Sequence, residues 1–166
     1  MKDITESTYA KKAMDLFTQG YNCAQSVFLA FDNLYDMDRS TAFRLSSSFG
    51  GGMGRLREVC GAVSGMFMAA GILYGYDDAK DYEAKKEHYA RIQELAKVYR
   101  DANGSIVCRE LLGLTEKTSD PAPAKRTAEY YKKRPCKELV GFAATIMEDY
   151  IEKHPLKRDG TEAETV

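Results

Sequence analysis

The sequence predicts an all-α fold built as a bundle of about six to seven helices, and three observations carry that prediction. No alternating runs of Val, Ile and Thr argue for strands. Apolar residues recur instead at helical spacing, as at Ala10, Met14 and Phe17. Good N-capping residues, Asn22, Asp38 and Ser105, stand where such stretches begin.

The first helix runs from about Ser7 to Thr18 and stops at Gly20. The second begins at Asn22 and carries Val27, Phe28, Leu29 and Phe31. Asp38 caps a short third helix through Phe43 and Leu45, which ends in SSSFGGGMG. The fourth starts shortly before Cys60 and ends near Gly75. The fifth, long and strongly charged, spans Asp81 to Ala102 and is closed by Asn103-Gly104. Ser105 caps a sixth, IVCRELLG, which Gly113 ends. Thr115 to Ala128, with Pro121 and Pro123, reads as a loop. Pro135, suited to a first helical turn, opens the seventh helix, which runs to about His154. The elements form one domain, residues 1–156, followed by a flexible tail over 157–166.

Apolar residues make up 44% of the chain, charged residues 30%, and the net charge is −1. That balance gives no electrostatic footprint for nucleic acid, which is excluded as a partner. The N-terminus MKDITESTYAKK mixes charges and has no apolar core of a secretory signal. Val59 to Tyr76 is uncharged, yet its four glycines and serine suit a buried central helix better than a membrane span. The helix is expected inside one subunit or partly at a homodimer interface. The expected location is cytoplasmic.

The four cysteines are Cys23, Cys60, Cys108 and Cys136. Without a signal, and in a chain of this length, a secreted disulfide framework is disfavoured. Each cysteine falls in or near the first turn of a predicted helix. Exposed N–H groups and the helix dipole stabilise a thiolate there, and thiolate is both the nucleophile and the metal ligand. No pair is spaced as CxxC, which argues against a thioredoxin-like site and against zinc knuckles. Any shared site must be assembled from distant helices. The competing reading is four small buried hydrophobes.

FGGGMGRLREVCGAVSG, residues 49–65, concentrates this pattern. It lacks the GxxxxGK[ST] signature and a preceding strand, which argues against a P-loop, while its backbone N–H groups remain suited to cradle an anion with Arg55 and Arg57 assisting. Its glycines instead house Cys60, with Arg55 and Arg57 placing positive charge beside the thiol. Arg109 and Lys137, next to Cys108 and Cys136, are expected to add to that field. Gly61 and Gly65 lie on one helix face and allow close approach of another backbone or a cofactor.

NCAQSVFLAF, FGGGMGR, CGAVSG, VCRELLG and PCKELVGFAA together resemble the C_GCAxxG_C_C family of bacterial and archaeal redox-active proteins. The resemblance runs from about Asn22 to Ala144 and gives all four family cysteines a counterpart. This chain reads Cys60-Gly61-Ala62, where the family label writes Gly-Cys-Ala. The resemblance implies redox activity, and a transporter as a partner, because family members tend to be encoded near transporter genes. A similar domain in split-Soret-type cytochromes carries an iron–sulfur cluster. The absence of CxxCH means no c-type haem is expected here.

Two classes of function remain open on the sequence. In the first, the cysteines exchange disulfides with a redox partner protein or small thiol, making the chain a thiol–disulfide oxidoreductase. Cys60 then attacks and Cys23 resolves. Alternatively, all four ligate an iron–sulfur cluster that carries electrons. In the second class, Cys23, Cys60, Cys108 and Cys136 hold a structural zinc ion, or the domain serves a transporter as an interaction partner. His88 and His154 are near no cysteine in sequence, and Cys–His catalysis has no support.

Overall fold

A computed structural model describes residues 2–116 and 119–156; the expected tail lies outside them. It is all-α, with no strand among the described residues. The seven expected helices are α1 (Thr8–Thr18), α2 (Cys23–Ala30), α3 (Arg39–Ser47), α5 (Gly61–Tyr74), α6 (Tyr82–Asn103), α7 (Cys108–Leu111) and α9 (Cys136–Lys153). Two short pieces are added, α4 (Gly50–Met53) and α8 (Ala128–Lys133), with a 3-10 turn at Asp32–Leu34.

α2 is the axis of the core. Its residues from Ala24 to Ala30 are all buried, because α1, α5 and α9 surround it. A helix apolar on every face is stable only in such a position. Phe28 and Leu29 are fully enclosed, each stabilising the fold by about 1.5–3 kcal/mol. Asn22 begins the helix with a complete capping box. Its side chain accepts from Gln25 N at 2.9 Å, and the Gln25 side chain accepts from Asn22 N at 3.0 Å.

α5 packs directly on α2, and glycine makes the close crossing possible. A Cβ on Gly65 would lie 2.5 Å from the Ala24 carbonyl oxygen. The uncharged stretch around α5 is therefore a central helix, as its small residues predict. No helix among the described residues is long and apolar enough to cross a membrane. α6 is the outer helix, burying only Leu95 and Tyr99. α1 is fixed to α9 through Ser7, which caps α1 by accepting from Ala10 N at 2.9 Å and donates to the buried Glu148.

Three local expectations need correction. The sixth predicted helix starts at Cys108 rather than at Ser105, because residues 106–108 are drawn out to pair with 58–60. Ser105 turns the chain instead, its hydroxyl accepting from Val107 N at 3.0 Å. Pro135 is the cap residue of α9 and lies just outside the helix. The stretch read as loop ends earlier than expected, since Thr127 caps α8 through a 3.2 Å bond from Tyr130 N.

Candidate functional site

The helix starts place the four cysteines around one cavity. Cys23, Cys108 and Cys136 are the first residues of α2, α7 and α9, and Cys60 is the cap residue of α5. All four line a cavity of about 240 Å3. Electrostatic interaction links Cys23 to Cys136 and Cys60, Cys60 to Cys108, and Cys108 to Cys136, closing a ring.

A short extended pairing sets one side of that ring. Cys60 N donates to Ile106 O at 2.8 Å, Cys108 N to Glu58 O at 2.6 Å, and Val59 faces Val107 in an antiparallel bridge. Side chains alternate along such a pair, so Cys60 and Cys108 fall on the same face. The glycine loop ahead of it supplies the approach. A Cβ on Gly52, at φ +72°, would sit 2.6 Å from the Cys108 Cβ. Three non-glycine residues of the loop, Met53, Arg55 and Arg57, also adopt positive φ. Each costs on the order of 1–3 kcal/mol, and such strain concentrates at functional sites.

The other side of the ring is a contact pair. The Cys23 and Cys136 side chains interact directly, and the interaction shifts the two thiols in opposite directions. It holds Cys136 below the usual thiol range against the effect of burial, with Arg134, Arg126 and Arg57 reinforcing it. The same interaction, with burial and the neighbouring thiols, pushes Cys23 well above that range. Cys23 is half-buried, and the other three cysteines are buried.

The first-turn position does not make every cysteine acidic. Burial pushes the Cys60 thiol up to about 11, outweighing the hydrogen bonds from Ala62 and Val63 at the start of α5. Its sulfur lies 3.9 Å from the Tyr99 hydroxyl, which is itself buried and within 3.4 Å of Leu139 O. Burial also raises Cys108, although Arg57 opposes it with its guanidinium 3.8 Å from the sulfur.

The charge lining the cavity is one-sided: Arg55, Arg57, Arg126 and Arg134 line it, and among the described residues no acidic one does. Arg109 and Lys137, expected to join this field, do not. Arg109 pairs with Glu58 at 3.3 Å, and neither lines the cavity. Arg126 and Arg134 were not legible as site residues, because they lie outside the glycine-rich stretch. Arg126 reaches back to the α1–α2 turn, donating to Phe17 O at 3.1 Å and Tyr21 O at 3.2 Å. Tyr99 was hidden in a charged helix, though its spacing four residues after Leu95 was a helical core signal. His88 contacts Arg91 and His154 stacks on Tyr150; neither lines the cavity.

Among the described residues, no group of three or more His, Cys, Asp or Glu is arranged to hold a metal ion. A tetrahedral zinc site with Zn–S bonds of about 2.3 Å needs four sulfurs closed on one point. The four cysteines are not closed in that way.

The sequence pattern of a family described as "putative redox-active protein (C_GCAxxG_C_C)" matches residues 21–150. No curated protein and no solved structure matches the chain.

Proposed function

The chain belongs to the C_GCAxxG_C_C redox-active family, and we propose that it works by thiol–disulfide exchange between Cys23 and Cys136. The observation that carries this reading is the placement of Cys23 and Cys136, the first residues of the packed helices α2 and α9, together on the wall of one cavity, with Cys136 shifted down and Cys23 up by their interaction. The Cys136 thiolate attacks one sulfur of an oxidised partner's disulfide, and the other sulfur leaves as thiolate. Cys23 then gives up its proton and attacks the Cys136 sulfur of the mixed disulfide. The partner departs fully reduced, having gained two electrons, and Cys23–Cys136 is left as a disulfide. This assigns the attack to Cys136 rather than to Cys60, whose buried thiol is hardly ionised near neutral pH.

Iron–sulfur electron transfer is the second reading, favoured by four cysteines that four separate helix starts bring to one cavity. Such a cluster would be held by all four cysteines, and it supplies one-electron transfer when bound.

Anaerobic equilibration in graded thiol–disulfide buffers, with free thiols counted after acid quench, tests the first reading. Two thiols should disappear together as a two-electron couple, and Cys23→Ser or Cys136→Ser should abolish that transition. Iron with visible charge-transfer absorption that needs all four cysteines, and no such couple, would transfer the function to the cluster.

A further inference from the structure

Arg57 is 3% exposed, an extreme position for a guanidinium. Its Nε donates to Ser119 Oγ at 2.8 Å, and one terminal nitrogen reaches only the Cys108 sulfur at 3.8 Å. No carboxylate among the described residues lies within ion-pair distance of Arg57, nor of Arg55, Arg126 or Arg134. The Cys136 thiolate is shared by Arg57, Arg126 and Arg134, and a buried cation so incompletely compensated is strongly disfavoured. The strained loop from Gly51 to Arg57 nevertheless holds this one at the cavity wall. Arg55 is driven below its ordinary pKa by burial and then by Arg57 and Arg134, the signature of like charges crowded together.

We infer that the cavity is a binding site for a small oxyanion, anchored by Arg57 and enclosed by Arg55, Arg126 and Arg134. Guanidinium groups match oxyanions through paired, charge-assisted hydrogen bonds. At about 240 Å3 the space falls below the roughly 300–1,000 Å3 of pockets for drug-sized ligands, so the anion is inorganic or of similar size. A second part of the inference rests on the dithiol reading: the anion is the oxidant that Cys23 and Cys136 reduce. In that step the two sulfurs join, two electrons pass to the central atom of the anion, and one of its oxygens leaves as water, taking the Cys23 proton and a second proton from solvent. A two-electron oxidant such as arsenate satisfies this balance, giving arsenite, and an external dithiol restores the pair.

Calorimetric titration of the reduced protein with sulfate and phosphate, neither reducible by thiols, tests the site by itself. Both wild type and the Cys23→Ser/Cys136→Ser double variant should bind. Arg57→Gln should weaken binding about 10- to 100-fold, the size of a lost charge-assisted hydrogen bond, and Arg57→Lys should weaken it less. No binding to wild type, or equal binding to Arg57→Gln, overturns the site. Should Arg57→Gln fail to fold, alkylation of wild type decides: anionic iodoacetate should label Cys136 faster, relative to neutral iodoacetamide, than it labels free cysteine. The absence of that preference overturns the site. Anaerobic incubation with arsenate tests the second part, with two thiols lost per arsenite formed. Arsenate that leaves the thiols intact, while thiol–disulfide buffers still oxidise the pair, overturns the oxidant assignment alone. Failure of the pair to oxidise in those buffers overturns the dithiol reading, and sulfate binding still judges the site.

Discussion

Replacing Gly65 by alanine, with Gly71→Ala as its control, separates helix propensity from the packing that positions Cys23. Both glycines lie within α5, so each substitution gains up to about 1 kcal/mol of helix propensity. Nothing lies within 4 Å of a Cβ at Gly71, whereas at Gly65 the Ala24 carbonyl oxygen would be 2.5 Å away and the Val27 Cβ 2.9 Å. Reaching the 3.4 Å of ordinary contact requires α2 and α5 to part by 3.4 − 2.5, or about 0.9 Å. Overpacking of a tight core costs about 1–3 kcal/mol. Gly71→Ala should therefore stabilise by up to about 1 kcal/mol, and Gly65→Ala should be destabilised by up to about 2 kcal/mol net. In a chain of this size that is a Tm lower by several degrees, at about 2–4 °C per kcal/mol. Because Cys23 opens α2, the same shift should loosen its contact with Cys136, so Cys23 should react faster with a neutral alkylating reagent. Urea melts followed by circular dichroism, with labelling of the native protein, provide the readout. Equal stability of the two variants, with unchanged Cys23 labelling, would refute the claim that glycine sets the α2–α5 distance.

Cys60 makes stability depend on alkaline pH. Its thiol titrates at about 11 in the fold against 9.0 outside it, so on raising the pH the unfolded chain loses this proton first. The native state thus loses stability progressively from pH 9.0 towards pH 11, by about 2.7 kcal/mol for a shift of two units. Cys60→Ala should lack this component when denaturant melts at pH 8 and pH 11 are compared. Ser7→Ala removes the α1 cap and the hydroxyl donor to buried Glu148, and should cost about 1–3 kcal/mol in urea melts. Arg126→Ala removes one of the guanidinium groups that hold Cys136 acidic. The pH profile of Cys136 alkylation should then move to higher pH, and an unmoved profile would remove Arg126 from the site.

The helical skeleton was legible because its signals are local. Asn22 and Asp38 cap where capping residues should stand, and Gly104 closes α6 in a left-handed conformation. The position of all four cysteines at helix starts followed from the same signals. Their order around the cavity did not. Which thiol lies against which depends on α2 meeting α9, and on residues 58–60 pairing with 106–108, contacts between segments far apart in sequence. The acidity of each thiol was equally hidden. A helix start favours thiolate at every one of the four, but burial of Cys60 exceeds that effect, and the interaction with Cys136 raises Cys23 while it lowers Cys136 against burial. Arg126 and Arg134 reach the site only because the 119–135 segment folds back over the cavity.

The central claim is that Cys23 and Cys136 form the reactive pair, and the first disulfide to appear tests it most directly. The reduced protein is treated with less than one equivalent of a disulfide oxidant, quenched with acid and an alkylating reagent, digested, and mapped by mass spectrometry. The account predicts a Cys23–Cys136 link as the first product, with Cys60 and Cys108 recovered alkylated. A first link between Cys60 and Cys23, or four cysteines still free while the oxidant is consumed by reduced glutathione added in parallel, would contradict it.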